Sequence, residues 1–130
     1  MISWREEFAL GIPQIDEQHK KLFDIAERIY ELFKDEFAID KYDRIVELIE
    51  ELKDYTIYHF KTEEEYMESI GYKKIFTHKI EHEKFVDKIT NVDLTQVDEN
   101  HDAYLLEILD FVVKWIEKHI LERDKKIISG

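Results

Sequence analysis

Two pairs of metal-ligand residue types flank a helix break in the middle of the chain and constrain how it can fold. His59 and Glu63 form the first pair, Gly71 breaks the helical pattern, and His78 and His82 form the second pair. Residues four apart lie on the same face of a helix, so each pair faces one way on its own helix. Such a pair can hold one ion. The spacing therefore predicts two helices that each present a metal-binding pair.

Further candidate ligands lie towards the two ends of the chain. They are His19 in the first third of the sequence, and His119 and Asp124 near its end. Together with the central pairs they make five histidines and two carboxylates from four segments, the ligand supply for a two-metal centre inside a helical bundle. The chain has no cysteine, so disulfides and thiolate metal sites are excluded. The remaining ligand types suit iron, manganese, zinc or copper and do not select among them.

The alternative interpretation of each histidine is structural, because a single buried imidazole usually hydrogen-bonds a backbone carbonyl. Five such groups without a metal would cost on the order of 1 to 3 kcal/mol each, so joint metal binding is favoured. His119 and Asp124 are five residues apart, about 140° on an ideal helix. Either the helix widens there or Asp124 reaches back from beyond its end. His101 shares the His119 stripe but would lie about 27 Å away, outside the centre.

Hydrophobic periodicity predicts four amphipathic helices, at about residues 16–36, 40–69, 73–91 and 98–121. Asp16 is the predicted cap of the first helix and Gly71 the predicted stop of the second. Residues 1–15 are predicted to form a non-helical arm, because Gly11 and Pro13 interrupt any helix. The connections are short, which predicts an all-α, antiparallel up-down four-helix bundle in one domain over residues 1–130.

Three glutamates beside Glu63 are predicted to be solvated, because they rotate off the core-facing stripe of their helix. They are Glu64, Glu65 and Glu68.

Composition places the chain among globular proteins and limits its partners. With 130 residues, 44% of them hydrophobic and 38% charged, it can bury a sizeable core. A formal net charge of −12 argues against nucleic acid and anionic membranes, which attract clustered Lys and Arg. No apolar run approaches the roughly 20 residues of a membrane span, and the first residues lack the pattern of a signal peptide. The expected location is therefore cytoplasmic.

The motifs around the candidate ligands follow one another over almost the whole chain. They are Trp4, Gly11-Ile12, Ile15-Asp16-x-Gln18-His19-x-x-Leu22-Phe23, His59-Phe60-x-x-Glu63, Gly71-Tyr72, His78-x-x-x-His82 and Trp115-Ile116-x-x-His119-Ile120-x-x-x-Asp124. Each motif alone is weak, whereas all of them in this order and spacing are specific. In this combination the chain resembles the hemerythrin family, in particular its single-domain bacterial members.

The resemblance implies a non-haem di-iron centre that binds O2 reversibly. It assigns three histidines to one iron and two to the other, with two carboxylates and a solvent-derived oxo or hydroxo group as bridges. The iron held by two histidines then has the open position at which the family binds O2. By this resemblance the first iron is bound by His78, His82 and His119, the second by His19 and His59, and the bridges are Glu63 and Asp124.

Reversible binding needs a dry apolar pocket around the open position, since water or a proton donor would release the bound oxygen as peroxide and leave the irons oxidised. The candidate residues of the pocket wall are Phe23, Phe60, Trp115 and Ile116. Tyr55 and Tyr66 lie about one turn from His59 and Glu63, so two phenols are candidates for the same neighbourhood. Their alternative role, like that of the wall residues, is ordinary core packing.

The resulting expectation is a protein that carries, stores or delivers O2 without turnover, and hence not an enzyme. The alternatives are a di-iron oxidase, peroxidase or nitric-oxide-handling enzyme, an O2 or redox sensor that acts through a separate protein, and a structural zinc bundle. The expected partners are O2 itself and an oxygen-consuming or signalling protein. The resemblance to bacterial single domains favours a monomer.

Overall fold

The chain folds into an all-α four-helix bundle, as the sequence predicts. The computed structural model describes residues 4–98 and 102–129, so the prediction for His101 lies outside the described residues. The long helices are α1 (Pro13–Lys34), α2 (Lys41–Ser69), α3 (Ile75–Thr90) and α4 (Asp102–His119). A π-helical turn (Ile120–Asp124) and a short helix α5 (Lys125–Ser129) continue α4. Helix α1 packs against α2 and α4, and α2 packs against α3.

The first helix begins at Pro13, which corrects the predicted start near residue 16. Proline is tolerated in the first turn because the N–H it lacks would have no helical partner there. Asp16 is therefore not the cap. Its carboxylate lies inside the first turn and accepts hydrogen bonds from the backbone N–H groups of Leu10 (2.8 Å) and Gly11 (3.1 Å). Asp16 thus fastens the preceding loop to the helix.

The segment before α1 packs its aromatic side chains against the bundle. It contains a 3-10 turn at Glu6–Phe8, and Phe8 is fully buried. The ring of Phe8 stacks on Phe23 of α1 with centroids 5.1 Å apart, and Trp4 lies 5.7 Å from Phe8. Arg5 donates a hydrogen bond to Glu117 of α4 at 3.1 Å. The segment is therefore attached to both α1 and α4.

The break at Gly71 is confirmed as the end of α2. Gly71 has a φ of +66°, the left-handed conformation that glycine adopts most easily. Its N–H donates to the carbonyl of Glu68 (3.2 Å), and the N–H of Tyr72 donates to the carbonyl of Met67 (2.9 Å). These two bonds form a Schellman motif and satisfy the last carbonyls of the helix. The motif turns the chain so that α3 can pack against α2.

The last long helix, α4, ends at His119, close to the predicted end near residue 121, but the helical structure beyond it was not predicted. Helical structure continues through the π turn and α5 to Ser129. Within the described ranges no strand occurs. In the same part of the chain, no helix combines the length and apolar character needed to cross a membrane.

Candidate metal centre

The core-facing stripes of the helices bring all seven candidate ligands into one buried cluster. Each of these side chains has a relative exposure of 6% or less, and both carboxylates are at 0%. The cluster contains His19 from α1, His59 and Glu63 from α2, His78 and His82 from α3, His119 from α4 and Asp124 from the π turn. On α2 the stripe that carries Ile49 and Leu52 into the core continues one turn at a time to His59 and Glu63.

A π-helical turn at Ile120–Asp124 resolves the irregular spacing of His119 and Asp124. In a π turn the hydrogen bonds join residues five apart, so side chains at that spacing come onto one face. The Nε2 atom of His119 lies 3.2 Å from Oδ1 of Asp124. Of the two possibilities that the sequence leaves open, the widened turn is therefore the one found.

The cluster divides into two groups that share their carboxylates. In each group, the potential ligand atoms lie within 4.8 Å of one another. Three histidines define the three-histidine group (His78, His82 and His119) and two define the two-histidine group (His19 and His59), and Glu63 and Asp124 belong to both. Shared carboxylates between two nitrogen-rich groups form an arrangement that could hold two ions side by side.

Each shared carboxylate directs one oxygen to each group. On the three-histidine side, Nε2 of His78 lies 2.9 Å from Oε1 of Glu63 and 2.8 Å from Oδ1 of Asp124. On the two-histidine side, Nε2 of His59 lies 3.4 Å from Oε2 of Glu63, and Nε2 of His19 lies 3.3 Å from Oδ2 of Asp124. The two oxygens of one carboxylate can therefore serve two different ions.

The hydrogen bonding of the cluster fits a metal better than it fits the side chains alone. Both ring nitrogens of His19, Oε2 of Glu63 and Oδ2 of Asp124 are buried without a hydrogen bond. Nε2 of His19 lies 3.6 Å from Oε2 of Glu63 and 3.3 Å from Oδ2 of Asp124 without a hydrogen bond to either. In the other group, Nε2 of His119 lies 3.1 Å from Nε2 of His82 and 3.0 Å from Nε2 of His78. Converging imidazole nitrogens offer lone pairs to one point, which a cation would satisfy.

The two carboxylates dominate the electrostatics of the metal-free cluster. Burial lowers the pKa of His19 and of His78, but contact with Asp124 and Glu63 outweighs burial and raises each pKa to about 9. For His59, burial outweighs the effect of the neighbouring carboxylates, so the pKa is lowered. Burial raises the pKa of Glu63 and of Asp124, whereas the surrounding imidazoles bring both below their ordinary range. The metal-free cluster therefore holds protons on histidines where the metal would bind.

We predict that the metal-free protein is most stable at about pH 6.5 and loses several kcal/mol by pH 10. Because the pKa values of His19 and His78 are raised from 6.5 to about 9, their contribution is complete below 6.5 and is lost as the pH rises through 9. The carboxylates and His59 have lowered pKa values, so their contributions are lost as the pH falls, that of His59 below about 6.5 and those of the carboxylates at more acidic pH. Urea unfolding across this range measures the effect.

The metal-loaded protein is the control for this pH dependence. Its ligands are already deprotonated, so the alkaline loss of stability should disappear when metal is bound. Equal urea midpoints at pH 6 and pH 10 in the metal-free protein would contradict the prediction.

Three polar side chains, whose role the sequence did not predict, lie beside the outer nitrogens of the histidines. His59 donates from Nδ1 to Oε1 of Gln18 at 2.8 Å. His82 donates from Nδ1 to Oε2 of Glu64 at 2.8 Å, and Nδ1 of His119 lies 3.4 Å from Oε2 of Glu81. The predicted solvation of Glu64 is therefore wrong, whereas Glu65 and Glu68 are exposed as expected. These partners leave Nε2 of each ring directed into the cluster.

Two of the four predicted wall residues contact histidines of the cluster. Phe60 stacks on His82 with ring centroids 3.8 Å apart and is 5.8 Å from His59. Trp115 stacks on His119 at 4.4 Å. The remaining two are buried: Phe23 and Ile116.

A tyrosine that was not among the predicted phenols contacts a candidate ligand. Tyr72 is half-buried, and its ring centroid is 6.3 Å from that of His78. Of the predicted phenols, Tyr55 is half-buried beside Tyr58 at 5.7 Å and Tyr66 is half-buried. Two sequence signals could have pointed to Tyr72: its position in the break between α2 and α3, and its place in the Gly71-Tyr72 motif.

Comparison with known proteins agrees with this geometry. Residues 10–129 match the family model described as the hemerythrin HHE cation binding domain. The chain is 52% identical to the bacteriohemerythrin of Clostridium acetobutylicum, covering 99% of this chain and 100% of the relative. It is 31% identical to a bacteriohemerythrin of Pseudomonas aeruginosa, covering 98% and 79%, and 28% identical to a hemerythrin-like protein of Naegleria gruberi, covering 95% and 88%. The chain belongs to the hemerythrin family.

Proposed function

We propose that the chain binds O2 reversibly at a pair of irons held by the seven clustered side chains. The carrying observation is that Glu63 and Asp124 each direct one oxygen to a group with three histidines and one to a group with two. When bound, a pair of irons supplies two electrons and a coordination position for O2. Family membership supports iron as the metal.

The two groups differ in the number of histidines and therefore in the number of ligands they offer to an ion. The three-histidine group offers three nitrogens and two carboxylate oxygens, whereas the two-histidine group offers two nitrogens and two carboxylate oxygens. The second group therefore leaves a position for an external ligand. The bridging carboxylates come from α2 and from the π turn that continues α4.

The surroundings of the cluster favour binding over turnover because they hold few protons to donate. Apart from the seven candidate ligands, the buried polar side chains in the described ranges are Gln18 and Thr56. The Thr56 hydroxyl donates to the carbonyl of Leu52 at 2.6 Å, and the Gln18 amide N–H donates to the hydroxyl of Thr62 at 3.4 Å. The Thr56 hydroxyl is engaged away from the cluster, and a neutral amide such as that of Gln18 is too weak an acid to protonate bound O2.

A second candidate function is an enzyme that reduces O2 or peroxide. Tyr72 favours it, because its ring lies 6.3 Å from that of His78 and a phenol can supply a proton and an electron. Tyr72 lies on the side of the three-histidine group, whereas the open position belongs to the two-histidine group. We therefore rank the enzyme below reversible binding.

The proposal is tested by loading the protein with iron, reducing it, and recording its visible absorption while air is admitted and then removed. We expect a band that appears with O2 and disappears on deoxygenation over repeated cycles. The zinc-loaded protein is the control, since it keeps the ligand set without redox chemistry. A band that decays to an oxidised spectrum without releasing O2 would support the enzyme, and two bound irons with no response to O2 would reject both.

A further inference from the structure

The outer hydrogen bonds of the histidines differ in charge between the two groups. In the three-histidine group, His82 donates to the carboxylate of Glu64 at 2.8 Å. In the two-histidine group, His59 donates to the neutral amide oxygen of Gln18 at 2.8 Å. The two hydrogen bonds have the same length, but one acceptor is charged and the other is neutral.

The charge of the acceptor determines how strongly an imidazole donates to a metal. A carboxylate that accepts the outer N–H pulls the proton towards itself and makes the inner nitrogen more basic, whereas an amide does so weakly. A more basic nitrogen stabilises an ion of higher charge. Glu64 is well placed for this effect, since its side chain is 26% exposed and partly shielded from water.

We propose that Glu64 is a positioning residue that acts through His82 and makes the three-histidine group the more electron-rich of the two. This inference rests on one part of the proposed function, namely that two ions occupy the cluster. Glu81 contributes less on the same side, because it lies 3.4 Å from Nδ1 of His119 and shares its charge with Arg123, whose Nε donates to it at 2.9 Å. The chain thereby sets different reduction potentials at two adjacent ions.

The test compares two substitutions of Glu64 with a matched substitution of Glu65. Glu64→Gln keeps an oxygen that can accept from His82 but removes the charge, whereas Glu64→Ala removes both. Glu65→Gln makes the same charge change at the next position of α2, where the side chain is exposed. Two quantities are measured: the midpoint potential of the iron-loaded protein, and the affinity of the metal-free protein for Co²⁺, which needs no O2 chemistry.

We expect Glu64→Gln to raise the midpoint potential relative to Glu65→Gln, because the oxidised state loses a stabilising negative charge. Glu64→Ala should weaken one of the two Co²⁺ sites by about 10-fold to 100-fold, the usual cost of removing an outer partner of a ligating histidine. Glu64→Gln should weaken that site less, since the ring stays oriented.

Gln18→Glu is the converse variant. It places a carboxylate on the outer nitrogen of His59 and should lower the midpoint potential, opposite in direction to Glu64→Gln. A fall in potential supports a charge effect, and an unchanged potential in a folded Gln18→Glu protein that binds both Co²⁺ ions contradicts it.

Equal potentials in Glu64→Gln and Glu65→Gln would overturn the proposal, as would Co²⁺ affinities equal to those of the unsubstituted protein in both Glu64 variants. These outcomes are separate from the proposed function. If O2 binding is irreversible but the potential and the Co²⁺ affinity respond as expected, the proposed function fails and the role of Glu64 stands.

Discussion

Glu63→Ala is expected to lose both irons and with them any colour change with O2. Glu63 is the one residue on α2 whose two oxygens face different groups: Oε1 lies 2.9 Å from His78, and Oε2 lies 3.4 Å from His59. Removing it deletes a ligand from each group and a negative charge from a fully buried site. The loss of affinity should exceed the roughly 10-fold to 100-fold that follows removal of an outer partner.

Iron content per chain after desalting, together with the O2-dependent absorption, measures this effect. Glu65→Ala is the matched control, because it removes an exposed carboxylate from the same helix. Circular dichroism shows whether the bundle survives. A folded Glu63→Ala protein that retains both irons would mean that Glu63 does not bridge the groups.

Hydrophobic and polar periodicity was sufficient to predict the bundle and the inward direction of the candidate ligands. His59 and Glu63 continue the stripe of Ile49 and Leu52, so an ordinary helical projection brings them into the core. Gly71 was equally predictable, because a left-handed residue at a helix end has few alternatives to glycine. At these positions one local rule determines the outcome.

The π turn could not be predicted from the sequence, because two local backbone geometries are compatible with the five-residue spacing of His119 and Asp124. A π turn and a helix that ends before Asp124 differ in a few backbone hydrogen bonds, and neither has a distinctive residue signature. Tertiary packing decides between them: Asp124 is fully buried among the imidazoles, and α5 carries the buried Ile127 beyond it. A helical projection considers one helix alone and therefore cannot include such long-range contacts.

Glu64 was wrongly predicted for a different physical reason. A position about 100° away from the core stripe counts as solvated when a helix is considered alone. In a bundle, each helix also has flanks that face its neighbours, and the flank of α2 beside α3 meets His82. Sequence patterns identify the central stripe well, but the identity of the neighbour at each flank depends on how the helices are arranged.

His59→Ala is expected to abolish the response to O2 while leaving one iron bound. The substitution removes one of the two imidazoles of the two-histidine group and leaves Gln18 without its 2.8 Å partner. The three-histidine group keeps all its nitrogens and both carboxylates, so it should retain its metal. This separates the variant from Glu63→Ala, in which both irons are lost.

Iron content and absorption under O2 distinguish these outcomes, with Lys61→Ala as a control at an exposed position of α2. His59 is buried at 1% exposure, so its removal leaves a cavity of imidazole shape beside Glu63. Added imidazole should enter this cavity, rebind the second iron and restore part of the O2-dependent band. Full oxygenation of the variant without imidazole would reject the assignment of O2 to the two-histidine side, because the open position would then not depend on the ligands that define it.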